Sequence, residues 1–252
     1  MRESERNVPV LMYHHINPHS GDTATVTPEV FAAQLQFLHN EGYQALSVDE
    51  LIEFVTGKKR IKTKVVVITF DDGWLDNYLY AVPLLSKYQC KATFFIITAR
   101  VDAASLRERS DRADIPDHNT AKKLIESGDA GRVVLDWNLI NDLEESGLFR
   151  FYSHTVTHRR SVDLLPLELL AELAESKERI EKKLGKGCEY LCWPYGSFSA
   201  DTVSAAKDAG YKGLFTTLDG FCEPGMDPNM IKRIEVKNSV LWLKNRLSEV
   251  SS

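Results

Sequence analysis

No stretch of the 252 residues comes near the roughly 18 consecutive apolar residues needed to cross a bilayer as a helix. The start, MRESERNVPV, carries charge where a signal peptide would place its apolar run, so the sequence as written points to a cytoplasmic protein. Basic charge is not in excess either. With 31 Lys and Arg against 36 Asp and Glu, the formal net charge is -5, and the chain lacks the basic surplus that nucleic-acid binders use to displace counterions from phosphates. Cysteine is scarce: Cys90, Cys188, Cys192 and Cys222 offer no paired C-x2-C zinc spacing. Cys188 and Cys192 fall together at an expected strand, whose extended backbone holds them too far apart for a disulfide, so free and mostly buried thiols are expected. No G-x-G-x-x-G or P-loop sequence follows any strand, which removes support for an open nucleotide-binding sheet. Internal repeats and low-complexity tracts are absent as well.

What is present is a pattern of short apolar, β-branched runs alternating with helical periodicity along the whole chain, the signature of βα units around a parallel sheet. Strands are expected at Val8 to Tyr13, Tyr43 to Leu46, Val65 to Phe70, Ala92 to Ile97, Phe149 to Tyr152, Tyr190 to Trp193, Tyr211 to Thr216 and Ile231 to Val236. Several are continuously apolar, as burial on both faces requires. Thr27-Pro28 opens a helix whose Phe31, Leu35 and Leu38 share a face, and Ser47 with Glu50 forms a capping-box pattern for the next. Asp76 to Tyr88 reads as a helix despite Pro83, Pro166 to Leu184 as a long one closed by Gly185, and Ser239 to Val250 as the last. The stretch from about 100 to 133 breaks the rhythm: it is charged, contains Pro116, and shows a helical pattern only near Ala121 to Glu126, which predicts a solvated insertion. Seven or eight βα units in this length give one α/β domain over residues 1–252, a distorted (β/α)7-8 barrel.

Such barrels carry their chemistry at the C-terminal ends of the strands. Four strands end in polar residues: one runs into Asp71-Asp72-Gly73, one into Ser153-His154-Thr155-Val156-Thr157-His158, one into Pro194-Tyr195-Gly196, and the first into His14-His15. The spacing of His154 and His158 lets two imidazoles face one cation, although paired loop histidines are also ordinary surface residues. Two adjacent aspartates after a buried strand repel each other and suffer desolvation, a penalty that a divalent cation removes. One carboxylate would complete an Asp-His-His set while the other accepts a proton from water. The same pair also reads as a turn capping the following helix, with Gly73 supplying positive φ. Strand alternation puts His14 and His15 on opposite faces, so only one can serve the site.

Together, TFDDG (69–73), SHTVTH (153–158), WPYG (193–196) and LMYHH (11–15) resemble the polysaccharide deacetylase family, carbohydrate esterase family 4, in the branch of the poly-β-1,6-N-acetylglucosamine N-deacetylases. The resemblance runs from about Val8 to Val236. It implies a divalent metal on Asp72, His154 and His158, with zinc as the default and nickel, cobalt or iron as alternatives. It further implies Asp71 as catalytic base, and Trp193, Pro194 and Tyr195 at the substrate groove, the Tyr195 N–H serving the oxyanion. The family's usual acid is a histidine near the C-terminus, but no histidine follows His158 here. In a circularly permuted branch, His14 would take that place, with His15 as runner-up. The arginine that typical members carry three residues before the Pro-Tyr tyrosine is replaced by Cys192, and Arg233 is a candidate substitute. Asp219 either contacts substrate from the last βα loop or makes a turn with Gly220. Trp74, Trp193 and Tyr195 could each stack on a sugar ring.

The implied activity is metal-dependent hydrolysis of an N-acetyl group on an amino-sugar-containing saccharide, releasing acetate. Two alternatives stay open: the same site acting on another C–N bond, such as a formamide or cyclic imide, and a saccharide-binding module without turnover. A glycosidase would need two carboxyl groups across the scissile bond, which adjacent aspartates with different roles do not supply. Sequence does not distinguish polymer, lipid-linked and nucleotide-linked saccharides, nor does it fix an oligomeric state.

Overall fold

A computed structural model describes residues 6–106 and 115–249. Val250 of the expected last helix and residues 107–114 of the charged insertion lie outside the described residues. The strands are β1 Val10–Tyr13, β2 His15–Ile16, β3 Thr25–Val26, β4 Gln44–Leu46, β5 Val65–Phe70, β6 Ala92–Ile96, β7 Phe149–Ser153, β8 Tyr190–Cys192, β9 Gly213–Phe215 and β10 Ile234–Glu235. The helices are α1 Pro28–Asn40, α2 Val48–Val55, α3 Val82–Lys87, α4 Thr98–Ala104, α5 His118–Glu126, α6 Trp137–Glu145, α7 Pro166–Leu184, α8 Ala200–Asp208 and α9 Val240–Ser248.

The main sheet is parallel throughout, in the order β10-β1-β5-β6-β7-β8-β9, with β4 beside the first half of β5. It curls on itself. Ile231 bridges Phe215 at the end of β9, and three residues on, Ile234 and Glu235 pair with Leu11 and Met12 of β1. One short segment thus spans the gap between the two edges, giving the distorted barrel expected from the βα count. All eight expected strands are present; most are shortened, by up to three residues at the start of β10, and β7 runs one residue further, to Ser153. The parallel pair of β2 and β3 is additional.

Side-chain alternation sorts the barrel into two faces. Tyr13, Phe70, Phe94 and Phe151 stand in register on four neighbouring strands, with consecutive ring centroids 5.3, 4.9 and 5.0 Å apart, and Phe31 of α1 packs edge-on to Tyr13 at 5.2 Å. The opposite parity, Thr69, Asp71 and Phe95, points inward, where Phe95 meets Phe215 across the lumen at 4.9 Å. A continuous apolar strand therefore covers both faces, as a parallel sheet flanked by helices demands.

The helices begin where their caps predict. Thr27 accepts from the N–H of Val30 at the start of α1, Ser47 and Glu50 form the capping box of α2, and α7 ends at Gly185 with φ 65°. The expected helix from Asp76 to Tyr88 is in part a π-helix: Asn77–Ala81 form a wide turn in which the Val82 N–H reaches the Asn77 carbonyl. That widening places Pro83, which has no N–H to donate, in the first turn of α3. The insertion differs most from expectation. α4 fills 98–104, α5 starts at His118 under an Asp117 cap, and Ile115, Ala121, Ala130 and Val133 are buried. Its charge-rich composition hides a sparse apolar face that is enough to pack the described parts against the barrel. α6 and α8 also go beyond the sequence expectation. Among the described residues no helix is long and apolar enough to cross a membrane.

Candidate active site

At the end of β5 the backbone turns left-handed at two consecutive residues, Asp72 (φ 74°) and Gly73 (φ 75°). For a non-glycine residue that conformation is uncommon and costs energy, and it has a consequence here: the two adjacent carboxylates diverge. Asp71 points into the barrel. There Arg233, itself 1 % exposed, holds it in a bidentate clamp, Nη1 to Oδ1 and Nη2 to Oδ2, both 2.8 Å. Arg233 is fixed in turn, donating through Nε to the Thr216 carbonyl and through Nη1 to Thr69 Oγ1. Burial pushes the Asp71 carboxyl up, but the guanidinium prevails and brings it down to about 2. Cys192 sits beside the clamp, its Sγ 3.0 Å from Arg233 Nη2. The position that holds arginine in the resembled family thus lies next to the arginine present here.

Asp72 turns toward the two histidines. Its Oδ1 lies 3.3 Å from His158 Nε2 and 3.7 Å from His154 Nε2, and these two nitrogens are 3.2 Å apart. His154 donates from Nδ1 to the Cys192 carbonyl at 2.7 Å, which fixes its tautomer and turns the Nε2 lone pair toward Asp72. Burial lowers the pKa of both imidazoles, that of His158 to about 3, and keeps them neutral. Asp72 Oδ1 is buried without a hydrogen-bond partner, while Oδ2 accepts from the Trp74 indole N–H at 3.0 Å. A buried, unpartnered carboxylate oxygen facing two neutral imidazole nitrogens fits a divalent cation in both charge and donor type. A second grouping, Asp71, His154 and Cys192, is also close. It fits poorly, because burial raises the Cys192 thiol well above its ordinary range and Asp71 is already committed to Arg233.

A family model described as polysaccharide deacetylase matches residues 58–214, more than half of the sequence. The chain belongs to the polysaccharide deacetylase family. It is 29 % identical to YxkH of Bacillus subtilis (strain 168), over 93 % of this chain and 73 % of that protein. It is 24 % identical to the poly-beta-1,6-N-acetyl-D-glucosamine N-deacetylase of Escherichia coli (strain K12), covering 91 % of this chain but only 36 % of that longer protein. Among solved structures, the Streptococcus pyogenes deacetylase PplD in complex with acetate superposes with a TM-score of 0.78 at 27 % identity, covering 96 % of this chain and 98 % of PplD.

The remaining residues of this family member divide clearly. His14 Nε2 stands 3.9 Å from Asp71 Oδ2 with its side chain partly exposed, whereas His15 points the other way and bonds Asp76 at 2.6 Å. Alternation had required that split. Asn77, first residue of the π-helical turn, holds both backbones, donating to the His14 carbonyl and accepting from the Ile16 N–H. Tyr195 is 62 % exposed, has φ 56°, and lays its ring 4.5 Å from that of His158. Trp74 and Trp193, considered above as sugar-stacking surfaces, are 1 % and 0 % exposed and present no face to a ligand; Pro194 is buried too. The stacking expectation is corrected to Tyr195 alone. Asp219 is paired with Arg246 of α9 at 2.7 Å.

Two contributors were missed in the sequence. Glu172 of α7, 6 % exposed, accepts from the N–H groups of Val156 and Thr157, each at 2.8 Å, and from the Thr157 hydroxyl, so it shapes the turn carrying His158. The signal was its position: Leu169, Glu172, Leu173, Ser176 and Ile180 share the buried face of α7. Arg100 of α4 lies 5.8 Å from the Trp74 ring and close enough to Asp72 and His158 to act on both electrostatically. Neither α4 nor this cation was expected at the site.

Proposed function

We propose that this protein is a metal-dependent hydrolase that removes N-acetyl groups from an amino-sugar-containing saccharide and releases acetate. The observation that carries the proposal is the divergence of Asp71 and Asp72: one carboxylate is clamped and ionised inside the barrel, the other faces two neutral imidazoles with an oxygen to spare. Asp72, His154 and His158 would hold the cation, zinc by donor type. A bound cation there would polarise the acetamide carbonyl and make water more acidic.

The chain's own residues supply the proton chemistry. Asp71, held ionised by Arg233, takes the proton of the attacking water; the clamp also fixes its direction. His14, across from Asp71, gives a proton to the departing nitrogen, without which an amine leaves poorly. The 3.9 Å separation of His14 Nε2 and Asp71 Oδ2 puts base and acid on one short path, so the proton gained by the first can replace the one lost by the second after acetate departs. Tyr195 presents its exposed ring at the mouth of the site, suited to one face of a sugar. The deacetylase names of the relatives and the acetate bound to PplD support the same reaction class.

The test is acetate release from an N-acetylglucosamine oligomer, with elemental analysis of the purified protein and a panel containing a formamide and a cyclic imide. Asp71→Asn is expected to lower turnover by about 10²- to 10⁴-fold, the usual worth of a positioned general base, while metal content is retained. Chelation should abolish acetate release and zinc should restore it. Wild-type protein that is metal-loaded yet inactive on every N-acetyl sugar, or active only on the imide, would overturn the assignment.

A further inference from the structure

Trp74 makes a contact that ligand geometry alone does not require. Its indole N–H donates to Asp72 Oδ2 at 3.0 Å, leaving Oδ1 as the oxygen turned toward His154 and His158. The indole is held from several sides. His15 lies against it with ring centroids 4.3 Å apart, His118 meets it edge-on at 5.9 Å, and the Arg100 guanidinium is 5.8 Å from it. Its backbone is fixed by the returning end of the insertion, where Leu75 N–H donates to Val133 O and Leu135 N–H to Gly73 O. His15 is itself held at both nitrogens, Nδ1 on Asp76 Oδ2 at 2.6 Å and Nε2 on Nδ1 of His118 at 2.9 Å. Asn17 donates to Asp76 and to the Pro116 carbonyl, tying the same cluster to the segment just before α5.

These contacts form a continuous chain from half-buried α5 to a carboxylate that, on the reading above, holds the cation. Burial opposes charge on His15, but the Asp76 carboxylate outweighs it and raises the imidazole, which favours a donor on each of its two hydrogen-bonded nitrogens. Burial and the charge of His15 lower His118, which favours it as the acceptor. Donor and acceptor are matched along the whole chain. We propose that Trp74 is a positioning residue that selects which oxygen of Asp72 faces the metal, and that His118, through His15, holds Trp74 in place, so that the 115–135 segment sets metal affinity without supplying a ligand. Partners one step removed from a ligand are commonly worth 10- to 100-fold in affinity.

The inference rests on Asp72, His154 and His158 binding a cation, and its test is read without substrate. Zinc affinity of chelated, re-titrated protein is measured by competition with a chromophoric chelator, with near-ultraviolet circular dichroism as the folding control. Trp74→Phe keeps an aromatic ring against His15 and removes only the donor; its zinc Kd should rise about 10- to 100-fold. His118→Leu, at a half-buried position, should weaken zinc several-fold, and His118→Gln, whose amide oxygen can still accept from His15, should restore affinity. In the Trp74→Phe background His118→Leu should add almost nothing, because both act on one contact. Unchanged affinity in Trp74→Phe, or a His118→Leu effect that is the same in both backgrounds, would overturn the inference. Tight zinc binding without acetate release would instead sink the deacetylase reading and leave this one standing; wild-type protein that takes up no zinc would sink both.

Discussion

Asp71 and Asp72 are neighbours with opposite obligations, and the cost of each is met by a different partner. Asp71 is buried and ionised only because Arg233 faces it with both terminal nitrogens. Removing one member of such a pair leaves the other buried and uncompensated, which costs about 3–5 kcal/mol. Arg233→Met should therefore be destabilised by about that amount in urea titrations at pH 7. The pH dependence has a defined sign. In the wild-type fold Asp71 titrates at about 2, below its unfolded value of about 3.9, so the pair's contribution is complete above about pH 4 and is lost as pH falls toward 2. In the variant the largest opposing influence on burial is gone and only the weaker pull of His154 and His14 remains, so burial raises Asp71 and acid relieves the penalty. The stability gap between the two proteins should be widest at neutral pH, begin to narrow above pH 4 as the raised carboxyl of the variant takes up its proton, and close by about pH 2 as the wild-type pair is lost; a constant gap would mean that the clamp does not govern Asp71. Arg233 could be named from sequence only as one candidate cation, because nothing in Lys232-Arg233-Ile234 shows that the closing segment of the barrel turns it inward.

Element by element, sequence exposed what periodicity and caps encode and hid what depends on a few contacts. Strands such as Val65–Phe70 were legible because burial on both faces writes an unbroken apolar run, and α7 because Pro166 and Gly185 mark its ends. The insertion misled because a helix like α5 buries only Ala121 fully, so charge dominates its composition. Glu172 was hidden for the reverse reason: on a charge-rich helix it looks like one more solvated carboxylate. Its two oxygens instead gather three donors from the turn after β7, where Thr155 and His158 both have positive φ. Glu172→Leu leaves these N–H groups unpaired at about 1–3 kcal/mol for each buried donor. The turn should loosen while α7, which keeps its apolar face, persists. Amide exchange at Val156 and Thr157 should accelerate at least tenfold relative to amides in the middle of α7, with zinc affinity falling in parallel. Uniform acceleration throughout α7 would show that Glu172 only stabilises the helix.

For the whole molecule, the site exists only when the barrel closes, since its residues run from His14 through Asp71, Asp72, His154 and His158 to Arg233. Their environments are therefore properties of the fold, and the fold's stability should report them. His118, His154 and His158 are all lowered by burial below the ordinary value of about 6.5, His158 to about 3. Below pH 6.5 the unfolded chain binds protons that the folded chain refuses, so stability falls with acid by about 1.4 kcal/mol per pH unit for each proton in excess. His15 runs the other way, its folded value being raised, but its influence lies above pH 6.5, and the carboxylates enter only below about pH 5. The window from 6.5 to 5 thus isolates the buried histidines. Chelated protein should show a thermal midpoint that drops steadily across it. Saturating zinc should lift the midpoint at pH 7, by the equivalent of about 4 kcal/mol at a thousandfold over Kd, and that lift should shrink as protons compete for the same nitrogens. A chelated midpoint that stays level from pH 6.5 to 5, or a zinc increment that survives unchanged to pH 5, would mean that the imidazoles are not the neutral, buried pair on which metal binding depends.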